Sequence, residues 1–195
     1  MTQQSDLEAY AALLLKWNGA QNLVSRETID QLWPRHITDS LQLMPLIGAG
    51  ARSIVDVGSG GGFPAIPMAI ASRGDGRRFT LLEPNARKAA FLRTVARELS
   101  LPVSVESVRA EDRDSRETFD LVTARAVAAL PALLGLVARF CAPESQILLP
   151  KGRNYRQELA AAAALFDFDV LVHASKSEPE AVILEINKLR AKSAA

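Results

Sequence analysis

Apolar residues along this chain change their spacing near residue 53. Before that point they recur at intervals of three and four: Leu7, Tyr10, Leu14 and Trp17 over 6–18, then Ile29, Leu32, Trp33, His36, Ile37, Ser40, Leu41 and Met44 over 28–47. That period places a buried stripe on helices, and Pro34 marks a place where a new helix starts rather than an old one continuing. Beyond residue 53 the pattern becomes strand-like, with apolar runs at 53–57, 79–83, 103–107, 119–124, 146–150, 168–173 and 181–187. Amphipathic helical stretches at 62–72, 85–99, 130–141 and 155–166 separate most of these runs.

Strands that are apolar throughout and alternate with helices belong in a parallel sheet covered on both faces. The last two runs are joined through Lys176-Ser177-Glu178-Pro179, which is too short for a crossover helix, so they form an antiparallel hairpin. The prediction is a doubly wound, seven-stranded α/β sheet ending in that hairpin, spanning 51–195, with an N-terminal helical extension over 1–50. No internal repeat or low-complexity segment competes with it. In sheets of this type ligands lie beyond the carboxyl ends of the strands, where strand order reverses. The residues that follow strands 1 to 4 are therefore the ones to inspect.

After the first strand comes Asp56-Val57-Gly58-Ser59-Gly60-Gly61-Gly62-Phe63-Pro64. Glycine lets the backbone take positive φ and come close to a ligand. A dinucleotide fingerprint would need a third glycine at position 63, and Phe63 stands there. What remains is Asp56-x-Gly58-x-Gly60-x-Gly62, the D-x-G-x-G-x-G pattern of class I methyltransferases that use S-adenosylmethionine (SAM). After the second strand Glu83 suits the ribose hydroxyls, or serves as an acid favoured at a helix N-terminus. After the third, Ala110-Glu111-Asp112 is placed to bracket adenine, or is a solvated loop.

Charge narrows the partners. With 23 basic and 22 acidic residues the net charge is +1, so any nucleic-acid contact comes from a local patch. One cysteine, Cys141, excludes an internal disulfide, and its setting at a helix end reads as a buried structural thiol. Two distant histidines, His36 and His173, offer no metal-ligand spacing, so no metal is expected. Residues 1–6 lack the basic and apolar regions of a signal peptide, and no apolar stretch is long enough to span a membrane. A cytoplasmic monomer with no membrane association follows.

Together with the glycine turn, the stretches Arg35-His36-Ile37-Thr38-Asp39-Ser40, Thr123-Ala124-Arg125-Ala126 and Leu149-Pro150-Lys151-Gly152 resemble the RsmG (GidB) family. The resemblance runs from Trp17-Asn18 and Asn22-Leu23 to the final hairpin. It implies a Rossmann-like class I fold and SAM-dependent methylation of guanine N7 at one position of bacterial 16S ribosomal RNA, met as RNA or as a ribonucleoprotein particle. The family's cofactor contacts fall on Gly58, Phe63, Ala110, Glu111 and Arg125. Thr38, Ala65 and Pro84-Asn85 depart from the family's commoner residues.

Guanine N7 carries an exposed lone pair at neutral pH, so the reaction needs no general base and none is assigned. Alignment in a dry site is the main requirement. An arginine that read O6 and N7 together would block the reacting atom. O6 is left for a cation, either Arg125 or Lys151, and the Watson–Crick edge for a carboxylate, with Asp39 as candidate. Arg125 also suits a pure cofactor contact, Lys151 a phosphate contact, and Asp39 a cap or a pair with Arg35. His36 reads as a substrate-side residue or a packed helix residue. Arg35, Arg87, Lys88, Arg93, Arg97, Lys151, Arg153 and Arg156 are candidates for a phosphate-binding surface or are solvated helix charges, and Arg35, Lys151 and Arg153, near the predicted mouth, carry the most weight. Competing readings are a SAM methyltransferase of another substrate, a non-catalytic RNA-binding assembly factor, and a nicotinamide oxidoreductase.

Overall fold

The computed structural model describes residues 2–114 and 116–192. The N-terminal extension opens with α1 (Gln3–Gln21), whose first turn is closed by a reciprocal cap between Thr2 and Ser5. Short helical turns follow: α2 (Arg26–Ile29), a wide π-helical turn at Trp33–Thr38 with Pro34 as its second residue, and α3 (Asp39–Leu41). The continuous stripe over 28–47 is thus divided among several turns.

The sheet strands are β1 (Ser53–Val57), β2 (Arg78–Leu82), β3 (Val103–Glu106), β4 (Phe119–Ala124), β5 (Cys141–Lys151), β6 (Phe166–Ala174) and β7 (Val182–Ala191). They lie in the order β3-β2-β1-β4-β5-β7-β6, parallel except for β7, which runs antiparallel to both β5 and β6. The seven strands and the terminal hairpin match expectation. Chain order reverses beside β1, between β2 and β4, which puts the switch point above the glycine turn. Among the described residues no helix is long and apolar enough to cross a membrane.

Four helices cover the sheet: α4 (Ala65–Ala71), α5 (Ala86–Glu98), α6 (Leu130–Val137) and α7 (Tyr155–Ala163). Helix α4 starts later than the apolar spacing predicts because the glycine turn continues to Gly62 and Pro64 caps the helix. Asn85 caps α5 by accepting the N–H groups of Arg87 and Lys88. Cys141 is the first residue of β5, just after the turn Ala138–Phe140, and burial pushes its half-buried thiol up to about 11. A thiol held protonated and bonded to the Val137 carbonyl is structural.

The core has two halves, one on each face of the sheet. Leu7, Tyr10 and Leu14 of α1 belong to the same cluster as Ile54, Phe63, Ile66 and Leu92. The extension and the sheet therefore share a core, and α1 touches the glycine turn itself: the Tyr10 hydroxyl donates to the Gly61 carbonyl at 2.6 Å. A charged contact holds the first turn of α1, where the buried Asp6 carboxylate accepts from Arg73 at 2.9 Å.

Candidate active site and its neighbouring cleft

The turn after β1 is held from several sides. The N–H groups of Gly58 and Ser59 both donate to the Leu82 carbonyl at the end of β2. Gly60 N–H donates to Glu83 Oε2 at 2.8 Å, and Asn85 N–H donates to Glu83 Oε1 at 2.8 Å. Glu83 thereby ties the glycine turn to the start of α5, and each carboxylate oxygen keeps accepting capacity for a ligand hydroxyl. Gly58 and Gly60 adopt φ of 71° and 54°, which favours glycine at both positions. A Cβ on Gly58 would lie 2.7 Å from Val127 Cγ2, so the loop after β4 sits against the turn.

Gly62 lacks a side chain for a packing reason. At φ 99° its missing side chain leaves room for Ile66, Leu92 and Tyr10, with Ile66 Cγ1 2.6 Å from where a Cβ would stand. It serves close packing of helices against the turn, the task a third glycine performs in a dinucleotide fingerprint. Asp56 braces the turn from beneath. Its carboxyl is sealed under the turn, where Thr123 Oγ1 donates to Oδ1 at 2.7 Å, and Oδ2 is buried without a partner among the described residues. Burial pushes this carboxyl up to about 7, against the opposing pull of the Ser59 and Thr123 hydroxyls. Asp56 and Thr123 face each other in the β1–β4 register, so this pair braces the two strands that carry the site.

After β3, Ala110 is buried at the head of a short turn, Ala110–Asp112, and Glu111 is exposed. Arg139 fastens that loop from below by donating to the carbonyls of Glu111 and Arg113.

Arg125 follows β4 and joins the turn to a cleft. Its guanidinium lies 4.9 Å from the centroid of Phe63, whose other neighbours are His36, stacked at 5.0 Å, and Tyr10 at 5.5 Å. Arg125 Nη2 donates to His36 Nδ1 at 2.9 Å and Nη1 donates to the Arg35 carbonyl at 3.3 Å. Because arginine only donates, His36 accepts on Nδ1 and carries its proton on Nε2. Burial, reinforced by Arg125 and Arg35, lowers the His36 imidazole to about 4, so the ring is neutral at physiological pH. Phe63 is itself buried, and its ring works as the floor on which Arg125 and His36 rest.

The cleft beside this floor has a volume of about 480 Å³ and brings together Arg35, His36, Asp39, Arg125, Lys151 and Glu178. Five of the six substrate-side residues chosen from sequence line it. The sixth, Arg153, is exposed outside it and has no ion pair among the described residues.

Two of the five are occupied otherwise than expected. Asp39 pairs with Arg125 at 3.6 Å, not with Arg35, and its Oδ1 already accepts from Gln42 at 2.6 Å and from Ser177. Lys151 donates to Glu158 Oε2 at 2.7 Å and to the Ala128 carbonyl at 3.0 Å, and so staples the loop after β4. Burial would raise the Glu158 carboxyl, but Lys151 and the Leu130 N–H outweigh it and hold the group below its ordinary value. Glu158 also accepts that Leu130 N–H at 2.7 Å, anchoring the start of α6.

Sequence reasoning passed over Tyr10, Gln42, Thr123, Glu158 and Glu178. Thr123 left a signal, a polar residue inside an apolar strand. The others reach the site from segments whose proximity only the fold decides.

The match to the family model described as "rRNA small subunit methyltransferase G" covers residues 3–183. A relative of that name from Cereibacter sphaeroides (strain ATCC 17025 / ATH 2.4.3) is 44% identical over 94% of this chain and 88% of its own length. Another, from Acidiphilium cryptum (strain JF-5), is 46% identical over 94% of this chain and 84% of its own. Among solved structures, a SAM-dependent methyltransferase from Aquifex aeolicus shares the fold with a TM-score of 0.61 at 12% identity, covering 82% of this chain and 92% of that one. With a glycine turn braced by Glu83, Arg125 leading from it into a charged cleft, and these matches along nearly the whole sequence, the chain belongs to the rRNA small subunit methyltransferase G family.

Proposed function

We propose that the protein transfers the methyl group of SAM to N7 of one guanine in small-subunit ribosomal RNA. The observation that carries this reading is the Phe63 floor, which places the polar cleft directly against the glycine turn. The turn fits the cofactor: Gly58 and Gly60 leave the backbone bare at positive φ, and Glu83 offers a buried carboxylate to the ribose. Ala110 and Glu111 flank the position for adenine. SAM, when bound there, supplies an activated methyl group carried on a positively charged sulfur.

The chain's own residues have a limited task. Guanine N7 holds its lone pair at neutral pH, so no side chain has to remove a proton before attack. His36 lines the cleft with its Nδ1 lone pair already taken by Arg125, and Asp56 is sealed beneath the turn, so neither presents a free basic atom to the cleft. What the residues supply is orientation, which contributes roughly 7–11 kcal/mol in favourable cases. Phe63 and His36 fix Arg125, Lys151 and Glu158 fix the loop that carries it, and Arg125 both lines the cleft and rests on Phe63 of the turn.

Few unpaired cations surround the cleft, so recognition depends on the folded shape of the RNA, met as a ribonucleoprotein particle, rather than on charge. We read the protein as a cytoplasmic monomer acting on that particle without a metal. Mapping N7-methylguanine in ribosomal RNA from cells with and without the gene tests the reading. One guanine of the small-subunit RNA should lose its methyl group in the deletion strain. An unchanged methylation map would overturn the proposal.

A further inference from the structure

The carboxylates lining the cleft differ in how much accepting capacity they have left. Asp39 is taken up by Gln42, Ser177 and Arg125. Glu158 is taken up by Lys151 and the Leu130 N–H through a single oxygen, and its role there is to hold α6 and the loop before it. Among the described residues, Glu178 differs from Asp39 in having an unpartnered oxygen, which Glu158 also has, and from Glu158 in its greater exposure and in bonding no backbone N–H. Its Oε2 accepts from Arg35 Nη2 at 3.0 Å, while Oε1 has no partner among the described residues. The pair is open to water, with side chains 43% and 51% exposed, and an exposed pair of this kind contributes little and exchanges readily.

The turn that carries Glu178 is nevertheless fixed in place. Glu178 N–H donates to Ser175 Oγ at 3.3 Å, and Ala181 N–H donates to the Glu178 carbonyl at 3.1 Å. Lys176 N–H donates to Gln42 Oε1 at 2.8 Å, and Ser177 bonds Asp39, so the hairpin turn is fastened to the segment that pairs with Arg125. A carboxylate with a free oxygen is thus held at the cleft wall by a braced backbone.

We propose that Glu178 is a specificity-determining residue: its carboxylate leaves Arg35 and accepts the N1–H and N2–H2 donors of the target guanine, and Arg35 is released to a neighbouring phosphate. This rests on the guanine N7 reading given above. The Watson–Crick edge of guanine presents two adjacent donors, which a carboxylate matches with its two acceptors. That edge lies away from N7, so reading it leaves the reacting atom open, as an arginine on O6 and N7 would not. Adenine places an acceptor at N1, and a carboxylate there would face a lone pair without a proton. Glu178 therefore selects guanine by attraction and rejects adenine by repulsion.

The test uses the full-length protein and small-subunit particles. The guanine methylated by the wild type is mapped first, and methylation of any atom other than N7 would overturn the underlying reading and this assignment with it. Particles are then reconstituted with guanosine or inosine at that position, inosine lacking only the N2 amino group. The wild type should prefer guanosine by about 10- to 100-fold in kcat/KM, the range of one hydrogen bond to a charged acceptor. Glu178→Gln should lose a similar factor on guanosine and keep a preference of no more than about threefold. Glu180→Gln removes a charge from the same turn outside the cleft and should keep the wild-type preference. A Glu178→Gln enzyme with the wild-type preference, or an equal loss on both substrates, overturns the proposal. So does a wild type that treats the two substrates alike.

Discussion

The guanidinium of Arg125 rests 4.9 Å from the ring centroid of Phe63, the residue that stands where a dinucleotide fingerprint would have glycine. The departure that argues against a nicotinamide site thus also builds the link between the glycine turn and the cleft. Phe63→Leu keeps most of the volume and loses the stacking with His36 and the contact with Arg125. Repacking of this kind costs up to about 1.5 kcal/mol of stability. Loss of the ring contacts, worth about 1–2 kcal/mol, should lower kcat/KM for methylation by about 5- to 30-fold. Steady-state kinetics beside a thermal melt would check this, and a folded variant with wild-type kinetics would remove the ring from the account.

His36→Gln separates packing from acid–base chemistry. A glutamine carbonyl is able to accept from Arg125 as Nδ1 does at 2.9 Å. The single-turnover rate should stay within about tenfold of the wild type, far from the 10²–10⁴-fold contribution of a general base. With the imidazole pKa near 4, wild type and variant should show the same pH profile between pH 6 and 8. A thousandfold loss with folding and SAM binding intact would reveal proton transfer.

Asp56 makes stability depend on pH in a direction opposite to most carboxylates. The native carboxyl keeps its proton up to about pH 7, whereas an unfolded aspartate releases it near pH 3.9. The native state therefore binds more protons between those values, and the contribution of Asp56 to stability falls as pH rises from about 4 to about 7. Asp56→Asn keeps an acceptor for Thr123 and has no such titration. Its unfolding free energy relative to wild type should increase, making it relatively more stable, by about 2–3 kcal/mol between pH 5 and pH 8. Urea denaturation of both proteins at the two pH values measures the change, and a difference that does not vary with pH would place the titration elsewhere.

The positions of Arg125, Asp39 and Lys151 around one cleft were legible because each follows or precedes a strand or helix whose end could be located from apolar spacing. Their partners were not legible. The alternative that paired Asp39 with Arg35, four residues earlier, assumed α-helical spacing, and the π-helical turn at Trp33–Thr38 changes the angular register, with Arg35 pairing to Glu178 and Asp39 to Arg125. Lys151 sits at the end of β5 as expected, yet its partner Glu158 comes from the following helix and closes on it through the Gly152 turn. Gly62 reads like Gly58 in the motif, and only the packing of Ile66 and Leu92 beside it shows that it faces the core. Periodicity locates elements, whereas ion-pair choice depends on angles within a single turn.

Lys151 and Arg153 lie two residues apart and should respond to salt in different ways. A cation that neutralises one phosphate of single-stranded RNA contributes roughly −0.7 to the slope of log K against log salt. Lys151 spends its protons on Glu158 and the Ala128 carbonyl, whereas Arg153 is exposed and has no ion pair among the described residues. Lys151→Met should leave the salt slope of RNA binding unchanged and lower kcat, because the loop carrying Arg125 loses its staple. Arg153→Met should reduce the slope by about 0.7 and leave kcat near the wild-type value. Binding measured by filter retention at several salt concentrations, with single-turnover rates at saturating enzyme, distinguishes the two. A reduced slope for Lys151→Met with normal kcat would return that lysine to the phosphate backbone.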